Sequence, residues 1–222
     1  ARRDRGEVLE SEFLMYDFVP EEHLLRKRKP EDLWDKPNNP RQVLESLYSR
    51  NGRLPATWTR YLAIDPSHQR TACLSFVVTP MEHLGVQLNH RIIVEWELIA
   101  ERTLADVLAK QLLPLMSGYP YEAFIMDQQK GRQTNVGEGR TTFQVYGEAF
   151  SRAGLISRLT GSCFSAGCNV PRTRERMIRE WLAESHVNAS RLMFCEQSTA
   201  ASQKEMFRYR KKQLADGTIV DE

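Results

Sequence analysis

The sequence predicts an α/β fold: one mixed sheet of five or more strands, three of them antiparallel and the rest joined by α/β crossovers, with helices on both faces. Three observations carry this prediction. Apolar, strand-length runs succeed one another from Tyr61 to Leu98 with only turns or loops between them. Beyond Thr103, helical spacing alternates with short apolar runs at 123–126 and 192–195. Two of the predicted strands also stop abruptly at an aspartate, Asp65 and Asp127.

Residues 1–56 differ in character from the rest of the chain and are expected to form an arm or linker, with a compact domain over 57–222. Glu10–Val19 mixes apolar and acidic residues. Arg26-Lys27-Arg28-Lys29-Pro30 and Trp34-Asp35-Lys36-Pro37-Asn38-Asn39-Pro40 are dense in loop formers. A short helix is predicted around Arg41–Ser49, ended by Asn51-Gly52. Tyr61–Ile64 is the first strand and ends at Asp65-Pro66. After a polar turn comes the second, Ala72–Val78, and after a loop over 79–89 the third, Arg91–Leu98. Thr103 is expected to cap a helix whose apolar positions are Leu104, Val107, Leu108, Leu112 and Leu115, with Gly118 and Pro120 closing it. Ala123–Met126 is the fourth strand. Residues 128–141, with Gly131, Gly137 and Gly139 among basic side chains, are expected to be a mobile loop. Phe143–Leu159 is partly helical, and 160–171 is a small-residue linker. Arg172–Glu184 is an amphipathic helix with Met177, Ile178, Trp181 and Leu182 on one face, and Leu192–Cys195 is a fifth strand. Ser198 is expected to cap a last helix running through Lys212, and Asp216-Gly217 to turn the chain into Thr218–Val220. This order of strands and helices is that of a ribonuclease-H-like mixed sheet. The right-handed crossover rule is compatible with the fourth strand lying beside the first, without forcing that pairing.

With 222 residues the chain is long enough for one domain with a full core. Hydrophobic residues at 41% and charged residues at 27% are ordinary for a globular protein, and no apolar run approaches the ~20 residues that span a bilayer. The first residues are charged with no apolar stretch behind them, unlike a secretory signal. Four scattered cysteines suit reduced thiols better than a disulfide framework. Cys163 and Cys168 have zinc-ligand spacing, yet no second Cys/His pair stands near them. A Gly-rich phosphate loop followed by Lys-Ser/Thr is absent, and Gly137-Glu138-Gly139-Arg140 lacks its spacing. The net charge is only +2, but basic residues gather in two stretches, Lys130–Arg158 and Lys204–Lys212. Such stretches either track a phosphate backbone or simply face solvent.

If the first and fourth strands are parallel neighbours, Asp65 and Asp127 sit side by side at the carboxyl edge of the sheet, where open α/β sheets bind ligands. Adjacent carboxylates repel unless protonated or bridged by a cation, and hard oxygen donors suit Mg²⁺ or Mn²⁺. Two such ions would serve phosphodiester hydrolysis. The alternative is that each Asp only caps the turn after its strand. His68, three residues past Asp65, is either a further ligand or an exposed turn residue.

Four stretches give the sequence a resemblance to the C-terminal nuclease domain of bacteriophage large terminase subunits. Arg60-Tyr61-Leu62-Ala63-Ile64-Asp65-Pro66 looks like that family's first nuclease strand with its metal-binding Asp. Phe124-Ile125-Met126-Asp127 looks like the strand bearing its second acidic residue. Residues 172–209, including Glu205 and Tyr209, resemble its helix–strand–helix pattern, and Glu10–Leu24 the tail of the preceding ATPase domain. The resemblance implies a metal-dependent endonuclease that cuts concatemeric viral DNA during genome packaging. It implies two Mg²⁺ or Mn²⁺ ions on Asp65 and Asp127, and a double-stranded DNA substrate; from the two basic stretches, Lys130, Arg132, Arg140, Lys204 and Arg208 are expected to contact it. The implied partners are an ATPase domain of the same polypeptide, the portal and the small terminase subunit, in the host cytoplasm and without a membrane. The family's third carboxylate is expected beyond Gly217–Glu222. Otherwise Asp216, Asp221 or Glu222 serves, and a chain without it binds metal weakly and cleaves poorly. Two other functions fit the same residues: a non-catalytic DNA-binding or motor-contact module of this fold, and a junction-resolvase-like nuclease.

Overall fold

The computed structural model describes residues 18–67, 69–134, 139–167, 171–183, 190–208, 211–213 and 219–221. The expected mixed sheet is present and has seven strands. In chain order these are β1 (Leu24–Leu25), β2 (Thr59–Asp65), β3 (Arg70–Val78), β6 (Ile92–Glu101), β7 (Ala123–Met126), β8 (Ser165–Ala166) and β9 (Leu192–Cys195), arranged β1-β9-β6-β3-β2-β7-β8. A two-stranded hairpin of β4 (Glu82–His83) and β5 (Val86–Gln87) stands between β3 and β6. The helices are α1 (Pro20–His23), α2 (Pro40–Asn51), α3 (Ala105–Met116), α4 (Gln128–Gly131), α5 (Thr142–Ala153), α6 (Pro171–Ala183) and α7 (Ala200–Arg208). β2, β3 and β6 form the antiparallel centre, and β7 pairs parallel to β2 on one side as β9 does to β6 on the other.

Strand alternation divides the core between the two faces. Leu62, Ile64, Cys73, Phe124 and Met126 point to one face and pack on Leu108, Leu112, Tyr146 and Phe150 of α3 and α5. On the same side, Val77, Ile93 and Met193 meet Val43, Leu44 and Tyr48 of α2. Leu74, Phe76, Val94 and Phe194 point the other way, toward Ile178, Trp181 and Leu182 of α6 and Met206 of α7.

Several elements depart from expectation. The stretch expected to be an arm is packed from Phe18 onward: β1 adds to the sheet beside β9, and α2 covers part of the core. A buried charge cluster holds the chain between them. Glu45, with a fully buried carboxylate, accepts from Arg28 and Arg41 at 2.5 and 3.0 Å. The helix α2 falls where predicted, capped by Asn39 and stopped by Gly52, whose φ of +68° is accessible to glycine without strain.

Thr103 is not the cap of α3. Its hydroxyl donates to the Glu101 carbonyl, Leu104 stands at the N-cap, and Leu104 and Val107 lie outside the core at 76% and 47% exposure. The ambiguous stretch after Phe143 is helix α5, fixed by a capping box between Thr141 and Gln144. Within the expected linker, Ser165–Ala166 forms edge strand β8. Nor does Ser198 cap α7. Its hydroxyl donates to the Glu95 carbonyl, while the carboxylate of Glu97 on β6 accepts from the amides of Ala201 and Ser202. α7 also does not reach Lys212, because Lys211–Gln213 forms β10, paired antiparallel with β11 (Ile219–Asp221). The expected Asp216-Gly217 turn lies outside the described residues.

Candidate functional site

The register of β2 and β7 builds the site. Their last pair is Ile64↔Met126, so the next residue of each strand is an aspartate, Asp65 and Asp127. Paired strands run about 4.8 Å apart, and the two carboxyl groups are therefore neighbours at the carboxyl edge. Alternation sends both to the face opposite Leu62, Ile64, Phe124 and Met126. This is the face that carries α6 and α7. Pro66 comes directly after Asp65, and the Asp65 side chain is 59% exposed.

Asp127 is the N-cap of the short turn α4, where its Oδ1 accepts the Lys130 backbone N–H at 2.9 Å. The turn carries Lys130 back over the strand ends, and the Lys130 ammonium donates to Asp65 Oδ1 at 2.5 Å. A lysine thus touches both carboxylates, one through its backbone and one through its charge. Behind it, Gly131 lies against the ring of Phe143 so closely that a Cβ would come within 2.4 Å of it. On the far side of Asp127, the Gly167 amide donates to the Met126 carbonyl at 2.8 Å, and the adjoining strand β8 bears only Ser165 and Ala166.

The other expected contacts are spread more widely. Arg132 is exposed and closes α4. Arg140 pairs with Glu148 at 2.5 Å, and Arg152 pairs with Asp106 at 2.7 Å. Lys204 is exposed on α7, a helix tied to the start of β3 by Arg70 and Glu205 at 3.6 Å. Arg208 ends that helix. Among the described residues, no three histidine, cysteine, aspartate or glutamate side chains gather into a metal-binding group. His68, Cys168, Asp216 and Glu222 lie outside the described residues, and of Asp221 only the backbone, in β11, is described. Cys163 is exposed. A groove of about 450 Å³ between Asn38–Pro40 and Gly85–Arg91 shares no residue with the carboxylate pair. No helix among the described residues is long and apolar enough to cross a membrane.

Lys130 as the partner of Asp65 was legible only as a basic residue near a carboxylate. Nothing local to either residue signals the contact, because it depends on the pairing of β2 with β7. Glu97, which holds α7 against the sheet, gave no sequence signal either, since a cap from another element has no fixed spacing.

No family model matches this sequence, and no curated protein does. Solved structures do. The nuclease domain of the P22 large terminase superposes with a TM-score of 0.56 at 12% identity, over 93% of this chain and 82% of that one. The nuclease domain of the bacteriophage SPP1 large terminase, g2p, solved with bound Mn, gives 0.44 at 12% identity over 73% and 75%. The large terminase nuclease of thermophilic phage G20c gives 0.45 at 10% identity over 76% and 74%. The seven-stranded mixed sheet and the superposition on the P22 domain give the chain a ribonuclease-H-like α/β fold. More narrowly, that fold is the one adopted by the P22 large terminase nuclease domain.

Proposed function

We propose that the chain is a metal-dependent endonuclease domain of the large-terminase type, acting on concatemeric viral DNA during packaging. The observation that carries this is the β2–β7 register, which sets Asp65 and Asp127 side by side at the ligand-binding edge of the sheet. The fold shared with the P22 domain supports it. Double-stranded DNA, an ATPase domain of the same polypeptide, the portal and the small terminase subunit are its proposed partners, in the host cytoplasm.

The residues present fit a hard divalent cation. Two carboxylates supply oxygen donors, and the structure already places a cationic ammonium on one of them. Asp65 and Asp127 would hold Mg²⁺ or Mn²⁺, two ions in this proposal, with a third carboxylate supplied from outside the described residues. When bound, such ions lower the pKa of an attacking water and offset charge on the phosphodiester. The chain's own contribution is placement. The α4 turn fixes the end of β7 through Asp127, and Lys130, Arg132 and Lys204 supply positive charge for a phosphate backbone.

The test is nicking of supercoiled plasmid in Mn²⁺ or Mg²⁺. The expected outcome is slow, weakly sequence-selective cleavage that falls to background in Asp65→Asn and in Asp127→Asn. Cleavage that persists in either variant would sink the proposal.

A second function draws on one specific observation, that Asp127 caps α4. If capping is its whole role, the chain is a non-catalytic DNA-binding or motor-contact module. It then binds DNA with a steep salt dependence, shows no metal-dependent cleavage, and loses stability in Asp127→Ala, but not in Asp127→Asn, which keeps the capping oxygen, without change in DNA affinity.

A further inference from the structure

Lys130 and Asp65 lie 65 residues apart in sequence and meet at 2.5 Å. The meeting is imposed by the fold. Asp127 fixes the backbone of Lys130, Gly131 is wedged against Phe143, and β2 brings Asp65 within reach of the ammonium. A positive charge here relieves the repulsion between two neighbouring carboxylates. It also occupies one of the two Asp65 oxygens open to a cation shared by the pair.

We propose that Lys130 is a resident counter-ion that competes with divalent metal for the Asp65–Asp127 edge and yields its place when DNA offers the ammonium a phosphate. This rests on the carboxylates being the cation-binding pair described above. In free protein the lysine holds metal affinity down. With DNA present, the phosphate gives the ammonium another acceptor, the Asp65 oxygen is released, and metal binds more tightly. By linkage, metal then strengthens DNA binding by the same factor. Lys130 is in this sense a positioning residue that makes the two ligands cooperative.

The lysine side chain is 40% exposed and Asp65 59%, so solvent screens the pair and the effect is modest. The expected change is roughly fivefold at low salt, shrinking as ionic strength rises.

The experiment measures Mn²⁺ binding to the 222-residue chain by the loss of the free-ion electron paramagnetic resonance signal, with and without a short DNA duplex. The variants are Lys130→Met, Lys130→Arg, Asp65→Asn and the Asp65→Asn/Lys130→Met double, each checked for native circular dichroism. Without DNA, Lys130→Met is expected to bind Mn²⁺ roughly fivefold more tightly than the parent, and Lys130→Arg to match the parent. Both Asp65→Asn chains are expected to bind poorly. Duplex DNA should tighten Mn²⁺ binding in the parent, and much less in Lys130→Met. If Lys130→Met binds as the parent does or more weakly while Asp65→Asn still removes binding, the counter-ion role is overturned and the carboxylate pair stands. If Mn²⁺ binding is absent throughout, or indifferent to Asp65→Asn, both are overturned.

Discussion

At Gly131 a side chain has nowhere to go. The edge of the Phe143 ring occupies the space, so even a methyl group forces the ring or the α4 turn to move. Overpacking of this kind costs about 1–3 kcal/mol. Gly131→Ala is expected to destabilise the fold by that amount, read as a lowered urea midpoint with unchanged slope. It is also expected to loosen the turn that carries Asp127 and Lys130. Adding Phe143→Leu should recover much of the loss; independent, additive effects in the double variant would show that the two residues do not press on each other. Glycine in a basic loop suggested mobility, whereas at this position the residue serves close packing. Composition does not distinguish these two uses. The aspartates were legible because each ends an apolar run, a pattern visible along the chain. The Lys130–Asp65 contact was not, since it is made across two strands.

Among the elements, β6 does more than fill the sheet. Its Glu95 is buried with Arg60, whose side chain has 0% exposure, and Arg53 joins them at 2.7 Å. The Glu95 carboxylate also accepts the Leu54 amide at 2.8 Å, while Arg60 donates to the carbonyls of Leu54, Pro55 and Trp58. This cluster fastens the segment after α2 to the start of β2. Removing the carboxylate leaves two buried or half-buried guanidinium groups without their counter-charge. Glu95→Ala is therefore expected to cost about 3–5 kcal/mol. Denaturant unfolding measures it, and a loss below about 1 kcal/mol would contradict the assignment. The cluster also explains why the sequence placed the domain boundary near Thr57. The density of loop formers before Thr57 read as an arm or linker, and only the positions of Glu45 and Glu95 turn Arg28, Arg41, Arg53 and Arg60 into buried or half-buried partners. Long strands such as β2, β3 and β6 were legible from alternation. Two-residue strands such as β1 and β8 have no period to read, and helix starts shifted wherever a distant group took the capping role, as Glu97 does for α7.

For the whole molecule, burial of acidic protons sets an alkaline limit. Burial pushes the Cys73 thiol from 9.0 up to about 12, and raises the Cys195 thiol and the hydroxyls of Tyr121 and Tyr146 as well. Above pH 9 the unfolded chain releases the Cys73 proton that the native chain keeps. The unfolded state then binds fewer protons, so stability falls as pH rises, across a window from about 9 to 12 for Cys73. Thermal melts at intervals through that range are expected to show a midpoint that declines progressively with pH. A Cys73→Ala variant should decline less steeply, and an equal slope in both proteins would remove Cys73 as a contributor. Fold class was legible at this scale because the order of strand and helix patterns restricts the sheet to few topologies. The pairing of β2 with β7 was only one of those allowed, and it is the one the structure adopts.

That pairing has a consequence in time. β2 and β7 are parallel, so they cannot be joined by a tight turn and must wait for the intervening β3, β6 and α3. Contacts of such long sequence separation form late in folding. As the polypeptide leaves the ribosome, Asp65 emerges well before Asp127, and it has no acidic neighbour until the crossover closes. A chain truncated before β7 would hold half of the carboxylate pair, and the chemistry proposed above would have only one of its two strand-end ligands.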